Sequence, residues 1–175
     1  DGEIAYADEL LGRLLEGIAA IPGLADTTIV AVTADHGEQF EEHGARNHGK
    51  SLYAEELHVP LVIAVPGAAP QRIAVPMTTI DVGATLMDLV GLTRPAGSNA
   101  RSHAARVLGV TPPDAGDDRP VIAELIRDRQ IGKSLRAVFS GDGKLVWNPR
   151  AGTYELFDTA RDPDDAHNLA SVEPA

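Results

Sequence analysis

TIVAVTADHGEQFEEHGARNHGKSLYAEELHVPLVI, running from Thr28 to Ile63, is the stretch on which the fold turns. It opens with Thr28 to Ala34, a continuous apolar, β-branched run of the kind found in a strand covered on both faces of a sheet. The run stops at Asp35-His36-Gly37. A polar segment rich in Glu, His and Gly follows, with Lys50 and Tyr53 near its end. A second strand is expected from Val59 to Val65, closed by Pro66-Gly67. In open α/β sheets, functional groups gather in the crevice at the carboxyl ends of strands. An acid, an imidazole and a glycine at such an end are the first candidates for chemistry.

Working outward, residues 3 to 20 read as an amphipathic helix that packs on a sheet. Ile4, Leu11, Leu14, Leu15 and Ile18 share one stripe, and Pro22-Gly23 ends it. Downstream, Thr79 to Leu92 reads as a second helix with Asp81 or Thr79 as N-cap. Its buried stripe is expected to be Val82, Leu86, Leu89 and Val90. Thr93 to Asp118 is rich in Pro, Gly, Ala and Asp, a loop with one short helix around Ala100 to Leu108. From Arg119 the texture changes to four short strands: Val121 to Ile126, Ser134 to Phe139, Lys144 to Trp147 and Thr153 to Phe157. Ser140-Gly141-Asp142-Gly143 is a strong hairpin signal between two of them, and Asn148 to Gly152 is a looser one. The acidic tail, Asp158 to Ala175, is expected to form a surface turn or a short helix. The expected division is an α/β part over residues 1–118 and a small antiparallel subdomain with its tail over 119–175.

Composition narrows the function. At 175 residues and 43% apolar, the chain has enough material for a core. Its formal net charge of −11 argues against nonspecific nucleic-acid binding, which needs a basic face to displace counterions. A small anionic substrate stays compatible, because a bound cation and a few placed side chains dominate the local field. There is no Cys, hence no thiolate ligand or nucleophile within these residues. No apolar run approaches the roughly 20 residues that span a bilayer.

Asp35 and His36 are both common metal ligands, and Gly37 lets the chain leave strand geometry so that the two can face one ion. The competing reading is a carboxylate capping the next turn and an imidazole bound to a backbone carbonyl. His43, Arg46, His48 and Lys50 place four cation-capable donors in one short loop, a set suited to wrapping an oxyanion held on a metal. Glu38, Glu41 and Glu42 read as solvated or capping carboxylates, and His58 as a packing residue.

Taken in order, Asp35-His36-Gly37-Glu38, Glu42-His43-Gly44, Gly49-Lys50-Ser51-Leu52-Tyr53 and Val59-Pro60-Leu61-Val62-Ile63 resemble the C-terminal half of a type I sulfatase, within the alkaline-phosphatase superfamily. Ile80-Asp81-Val82 with Thr85 to Gly91 resembles the family's next helix, although a proline usual there is Ala84. Glu155-Leu156-Phe157-Asp158, Asp162-Pro163 and Asn168-Leu169 resemble its closing signature.

The resemblance implies part of a doubly wound α/β sheet with a small C-terminal antiparallel sheet, and metal-dependent hydrolysis of a small sulfate ester. It implies Asp35 and His36 as two metal ligands, Lys50 on the sulfate, and His48 as an assisting histidine. Calcium is the first expectation for the ion. Manganese and zinc are the alternatives that an imidazole ligand makes acceptable.

The family's other acidic ligands and its formylglycine nucleophile have no counterpart here. They are expected upstream of Asp1, in the N-terminal remainder of the same protein, which leaves the isolated chain without turnover. The competing functions are a phosphodiesterase, phosphonate hydrolase or phosphoglycerol transferase of the same superfamily. A non-catalytic domain that keeps the fold is the reading from another class.

Overall fold

A computed structural model describes residues 2–113, 116, 119–126 and 134–170. The helix α1 (Gly2–Ala19) forms as its periodicity predicts, yet it buries none of its residues. Ile4 is 71% exposed and Leu14 60%, so the apolar stripe has no covering element among the described residues. A positive φ at Gly23 turns the chain, and the strand β1 (Val30–Thr33) follows.

The two strands of the opening stretch form an antiparallel ribbon. β1 pairs with β4 (Leu61–Ala64), from Val30 opposite Ala64 to Thr33 opposite Leu61. Along both strands half-buried and exposed residues alternate, and Val62 is 60% exposed, so this ribbon is not sandwiched within the described chain. Its geometry still matters for the site. The carboxyl end of β1 lies beside the start of β4, and the whole polar segment 34–60 is a loop rising from that end. Within it are a two-residue ladder, β2 (Gln39–Phe40) with β3 (Arg46–Asn47), and a single helical turn, α2 (Ala54–Leu57).

The helix α3 (Thr79–Leu89) is capped by Thr78 rather than by Thr79 or Asp81, because Asp81 sits at the third helical position and accepts the Thr78 N–H at 3.0 Å. Its buried face is Asp81, Ala84 and Thr85 rather than the expected aliphatic stripe, and Val90 is 57% exposed. The reason is a polar hub. Asp81 is fully buried and accepts the Arg101 N–H at 2.6 Å and the Arg119 guanidinium at 2.5 Å. The Thr85 hydroxyl donates to the Asp81 carbonyl and accepts the His103 N–H. These bonds dock α4 (Ala104–Val107) on α3. Burial pushes the Asp81 carboxyl up, but the Arg101 and Thr78 N–H groups and the Arg119 guanidinium outweigh it and hold the carboxyl below its usual range.

The four expected strands form one antiparallel meander, β5 (Val121–Ile126), β6 (Ser134–Ser140), β7 (Gly143–Asn148) and β8 (Thr153–Asp158), in the order β5-β6-β7-β8. The β6–β7 loop is the two residues Gly141-Asp142, with a positive φ at Gly141 only, as a type II′ turn requires. The β7–β8 loop is tied by Asn148, whose side chain accepts the Arg150 and Ala151 N–H groups at 3.1 Å. The boundary expected after Asp118 falls on residues outside the described set.

The main core lies on the inner face of this meander. Ala137, Val146 and Phe157 pack against Leu52, flanked by Tyr53, Leu57, Ala123, Leu125, Leu135 and Phe139. The loop that follows the Asp35 strand is therefore anchored on the C-terminal sheet by its own apolar residues.

The tail does form turns, but it is not purely a surface feature. Asp165 is 2% exposed and pairs with Lys144, itself 1% exposed near the start of β7. The closing motif also has a local explanation. The Asn168 side chain accepts the Leu156 N–H at 3.0 Å, and the Leu169 N–H donates to the Leu156 carbonyl, stitching the tail along β8.

Candidate active site

Asp35 and His36 leave strand geometry together at the end of β1. The Asp35 side chain is 91% exposed and its Oδ1 accepts the His36 N–H at 3.1 Å. The His36 ring is fixed from the other side. Its Nδ1 lies 2.9 Å from the Gly37 carbonyl, an acceptor, so in the neutral ring Nδ1 carries the proton and Nε2 has the lone pair. That Nε2 sits 3.8 Å from Asp35 Oδ2. Donors held about 2.0–2.5 Å from one ion are spaced roughly 3–4 Å apart, so this pair has the spacing of two ligands of a shared cation. The Gly37 carbonyl raises the His36 imidazole above its usual range; burial opposes this, and the Asp35, Glu38 and Glu56 carboxylates add to the rise.

Gly37 is required by packing. A Cβ there would lie 2.0 Å from the Glu55 carbonyl oxygen, and the Gly37 N–H donates to the Glu56 carbonyl at 2.9 Å. This backbone-to-backbone approach lets the DHG corner turn against α2.

His48 joins the pair. Its ring lies over that of His36, with centroids 4.1 Å apart, and its Nδ1 donates to Glu38 Oε2 at 3.1 Å. Glu38 is therefore not a freely solvated carboxylate. Its other oxygen is buried with no hydrogen-bond partner among the described residues. Lys50 is half-buried, and its ammonium donates to the Arg46 carbonyl.

The four expected oxyanion donors do not converge. Arg46 is turned outward to Glu41 at 2.7 Å. His43 faces the interior, with Nδ1 at 2.8 Å from Glu55 Oε1 and Nε2 at 3.0 Å from the Asp165 carbonyl, and it stacks on Tyr53 at 3.9 Å. Both ring nitrogens face acceptors, so the imidazolium satisfies this position. Burial opposes that charge, but the Asp165 carbonyl and Glu55 outweigh it and raise the group above its usual range. Tyr53 in turn donates to Glu155 at 2.9 Å, and burial with that bond pushes its phenol up. His58 is exposed at the end of α2, so it is not the packing residue expected of it.

Several supporting residues escaped the reading of the sequence. Glu56 is 5% exposed and its carboxylate collects the N–H groups of Gly49, Lys50 and Ser51. Gln39 is buried and bridges Ser51 to Glu55. The Asp165 side chain accepts the Ala54 N–H at 2.8 Å as well as pairing with Lys144. Among the described residues, no three His, Asp or Glu side chains converge to cage an ion, so Asp35 and His36 stand as a pair.

Residues 1–92 match the family model described as Sulfatase. The chain belongs to the sulfatase family. It is 28% identical over 173 residues to the uncharacterized sulfatase YidJ of Escherichia coli strain K12, covering 94% of this chain and 32% of that protein. Among solved structures, the 2-O GAG sulfatase BT1596 superposes with a TM-score of 0.83 at 27% identity, over 94% of this chain and 36% of that one. The phosphonate monoester hydrolase of Agrobacterium radiobacter gives a TM-score of 0.79 at 25% identity, over 96% and 36%. The sulfatase chain described here thus has the alkaline-phosphatase-like fold. It spans about a third of the length of the curated relatives it matches.

Proposed function

We propose that this chain is part of a metal-dependent sulfuric ester hydrolase, and that it contributes two metal ligands, an anion-binding lysine and a proton-carrying histidine. The observation that carries the reading is the His36 geometry. The Gly37 carbonyl holds the proton of the neutral ring on Nδ1, so Nε2 is the nitrogen directed beside Asp35 Oδ2 and available to a cation. Family membership and the sulfatase neighbours support the same chemistry.

The donor set fits a divalent cation. Asp35 is a hard oxygen donor and His36 a borderline nitrogen, a combination compatible with calcium and equally with manganese or zinc. When bound, the ion would polarise the ester and offset the charge developing on it.

The chain's own side chains do the rest. Lys50 exchanges the Arg46 carbonyl for an ester oxygen, and its attraction strengthens as that oxygen gains charge. Glu38 accepts the His48 Nδ1 proton and so orients the ring; with Nε2 protonated as well, the imidazolium can pass that Nε2 proton to the departing alcohol oxygen and remain as the Nδ1–H imidazole. The chain spans about a third of its relatives' length, and on this proposal the remaining ligands and a formylglycine nucleophile would lie outside these residues.

The phosphonate monoester hydrolase likeness favours one second reading, phosphoryl chemistry on the same scaffold. The test is kcat/KM of the intact protein on 4-nitrophenyl sulfate against phenyl phosphonate esters. Faster sulfate-ester hydrolysis supports the proposal. Preference for the phosphonate ester overturns it in favour of the second reading.

A further inference from the structure

Lys50 acts through a single charge at the end of a four-carbon stem, so its usefulness depends on where its backbone is held. The backbone at this point is not part of any helix or long strand. Gly49 adopts a positive φ of 68° and Asn47 one of 66°, so the chain twists sharply on either side of His48. One buried side chain takes up the N–H groups that this twisting exposes. Glu56 Oε2 accepts the Gly49 N–H at 2.5 Å, Oε1 accepts the Ser51 N–H at 2.9 Å and the Ser51 hydroxyl at 3.0 Å, and the Lys50 N–H lies between the two oxygens at 3.2 and 3.3 Å. The main chain of the same residue holds the other half of the site, since its carbonyl accepts the Gly37 N–H directly after His36.

We infer that Glu56 is the positioning residue that fixes Lys50 relative to Asp35 and His36. Its side chain clamps residues 49–51 while its carbonyl clamps Gly37, so one residue sets the distance between the anion-binding and metal-binding halves. This rests on the role proposed for Lys50. Glu55, one position earlier, serves a different purpose. Its side chain binds Gln39 and His43 rather than the lysine loop.

The test is a double-mutant cycle on kcat/KM for 4-nitrophenyl sulfate in the intact protein. Glu56→Gln replaces one acceptor oxygen by an NH2 group facing backbone N–H donors, so it releases the clamp with little change in volume. A displacement of about 1 Å at a reacting group costs roughly 10²-fold, which is the loss expected in the wild-type background. Beside Lys50→Ala the same change is expected to cost less than about 3-fold, because the group it positions is gone. Equal losses in both backgrounds overturn the proposal, and so does a Glu56→Gln enzyme within about 3-fold of wild type while Lys50→Ala is crippled.

If Glu56→Gln does not fold, Glu56→Asp draws the carboxylate back by one methylene and is expected to lose roughly 10-fold in the same cycle. A wild-type protein inert on the sulfate but active on a phosphonate ester refutes the sulfatase reading alone, and the cycle is then read on that substrate. Amide exchange gives an answer independent of turnover. Release of the clamp speeds exchange at Gly49, Lys50 and Ser51, and unchanged exchange overturns the inference.

Discussion

Removing one partner of the Lys144–Asp165 pair leaves the other charge buried without its counter-ion. Both side chains are 1% exposed and in direct contact. Beyond Asp165, the ammonium faces aromatic rings, Phe139 at 5.2 Å and Phe157 at 5.8 Å. Burial lowers the Lys144 pKa and Asp165 offsets part of that. In Asp165→Asn the ammonium stays buried without its counter-charge, although the amide oxygen of the new side chain can still accept the Ala54 N–H. In Lys144→Met the carboxylate stays buried with the Ala54 N–H as its remaining donor.

Breaking a buried pair from one side costs about 3–5 kcal/mol, and the lower end applies here because one hydrogen bond or the ring faces remain. Each single variant is therefore expected to lose about 3 kcal/mol. The double variant removes both charges, so it should cost about the same as one single variant. The cycle then gives a coupling of about 3 kcal/mol, at the upper end of measured values for contacting residues. Urea denaturation followed by the fluorescence of Trp147, the only tryptophan, and by circular dichroism reads all four proteins. Additive losses, with the double variant near about 6 kcal/mol, would refute the claim that these charges exist for each other.

Gly37→Ala should cost about 2–4 kcal/mol in the same assay, since a methyl 2.0 Å from the Glu55 carbonyl forces the DHG corner off α2 and strains its hydrogen bond to Glu56. A loss below about 0.5 kcal/mol would show that the corner yields freely. The His43–Glu55 contact predicts a pH window. His43 is raised, so its contribution is complete below its ordinary value of 6.5 and is lost as pH rises through its folded value; Glu55 is lowered, so its contribution is complete above 4.5 and is lost as pH falls through its folded value. Stability from this contact should peak between those limits, and His43→Gln should flatten the alkaline side; an unchanged profile counts against the pairing. The isolated 175-residue chain is expected to show no aryl-sulfate turnover and only weak binding of calcium or manganese by calorimetry.

The elements that sequence marks most clearly are those with turn chemistry at both ends. Gly141-Asp142 and the Asn148 to Gly152 loop set the β6–β7–β8 registers locally, and the strands lie where those turn signals bound them. Asp35 and His36 were legible because a strand stops there against a glycine. His43 was not. It is one of several loop cations in sequence, and only the Asp165 carbonyl, 122 positions away, turns it inward. The same applies to Lys144 and Asp165, 21 positions apart in an expected strand and the expected tail, whose pairing only folding reveals. Glu56 was hidden for a different reason. Its partners are mostly backbone N–H groups, which leave no mark in side-chain identities. The α1 stripe shows the converse, a packing face plain in the sequence with no cover among the described residues.

The central claim is that Asp35 and His36 hold one ion through Asp35 Oδ2 and His36 Nε2. Metal content by mass spectrometry, measured on the intact protein together with aryl-sulfate turnover, tests it most directly. Asp35→Asn and His36→Ala are expected to lose bound metal and activity in parallel, with both partly restored by excess metal. Variants that retain stoichiometric metal at wild-type affinity would contradict it.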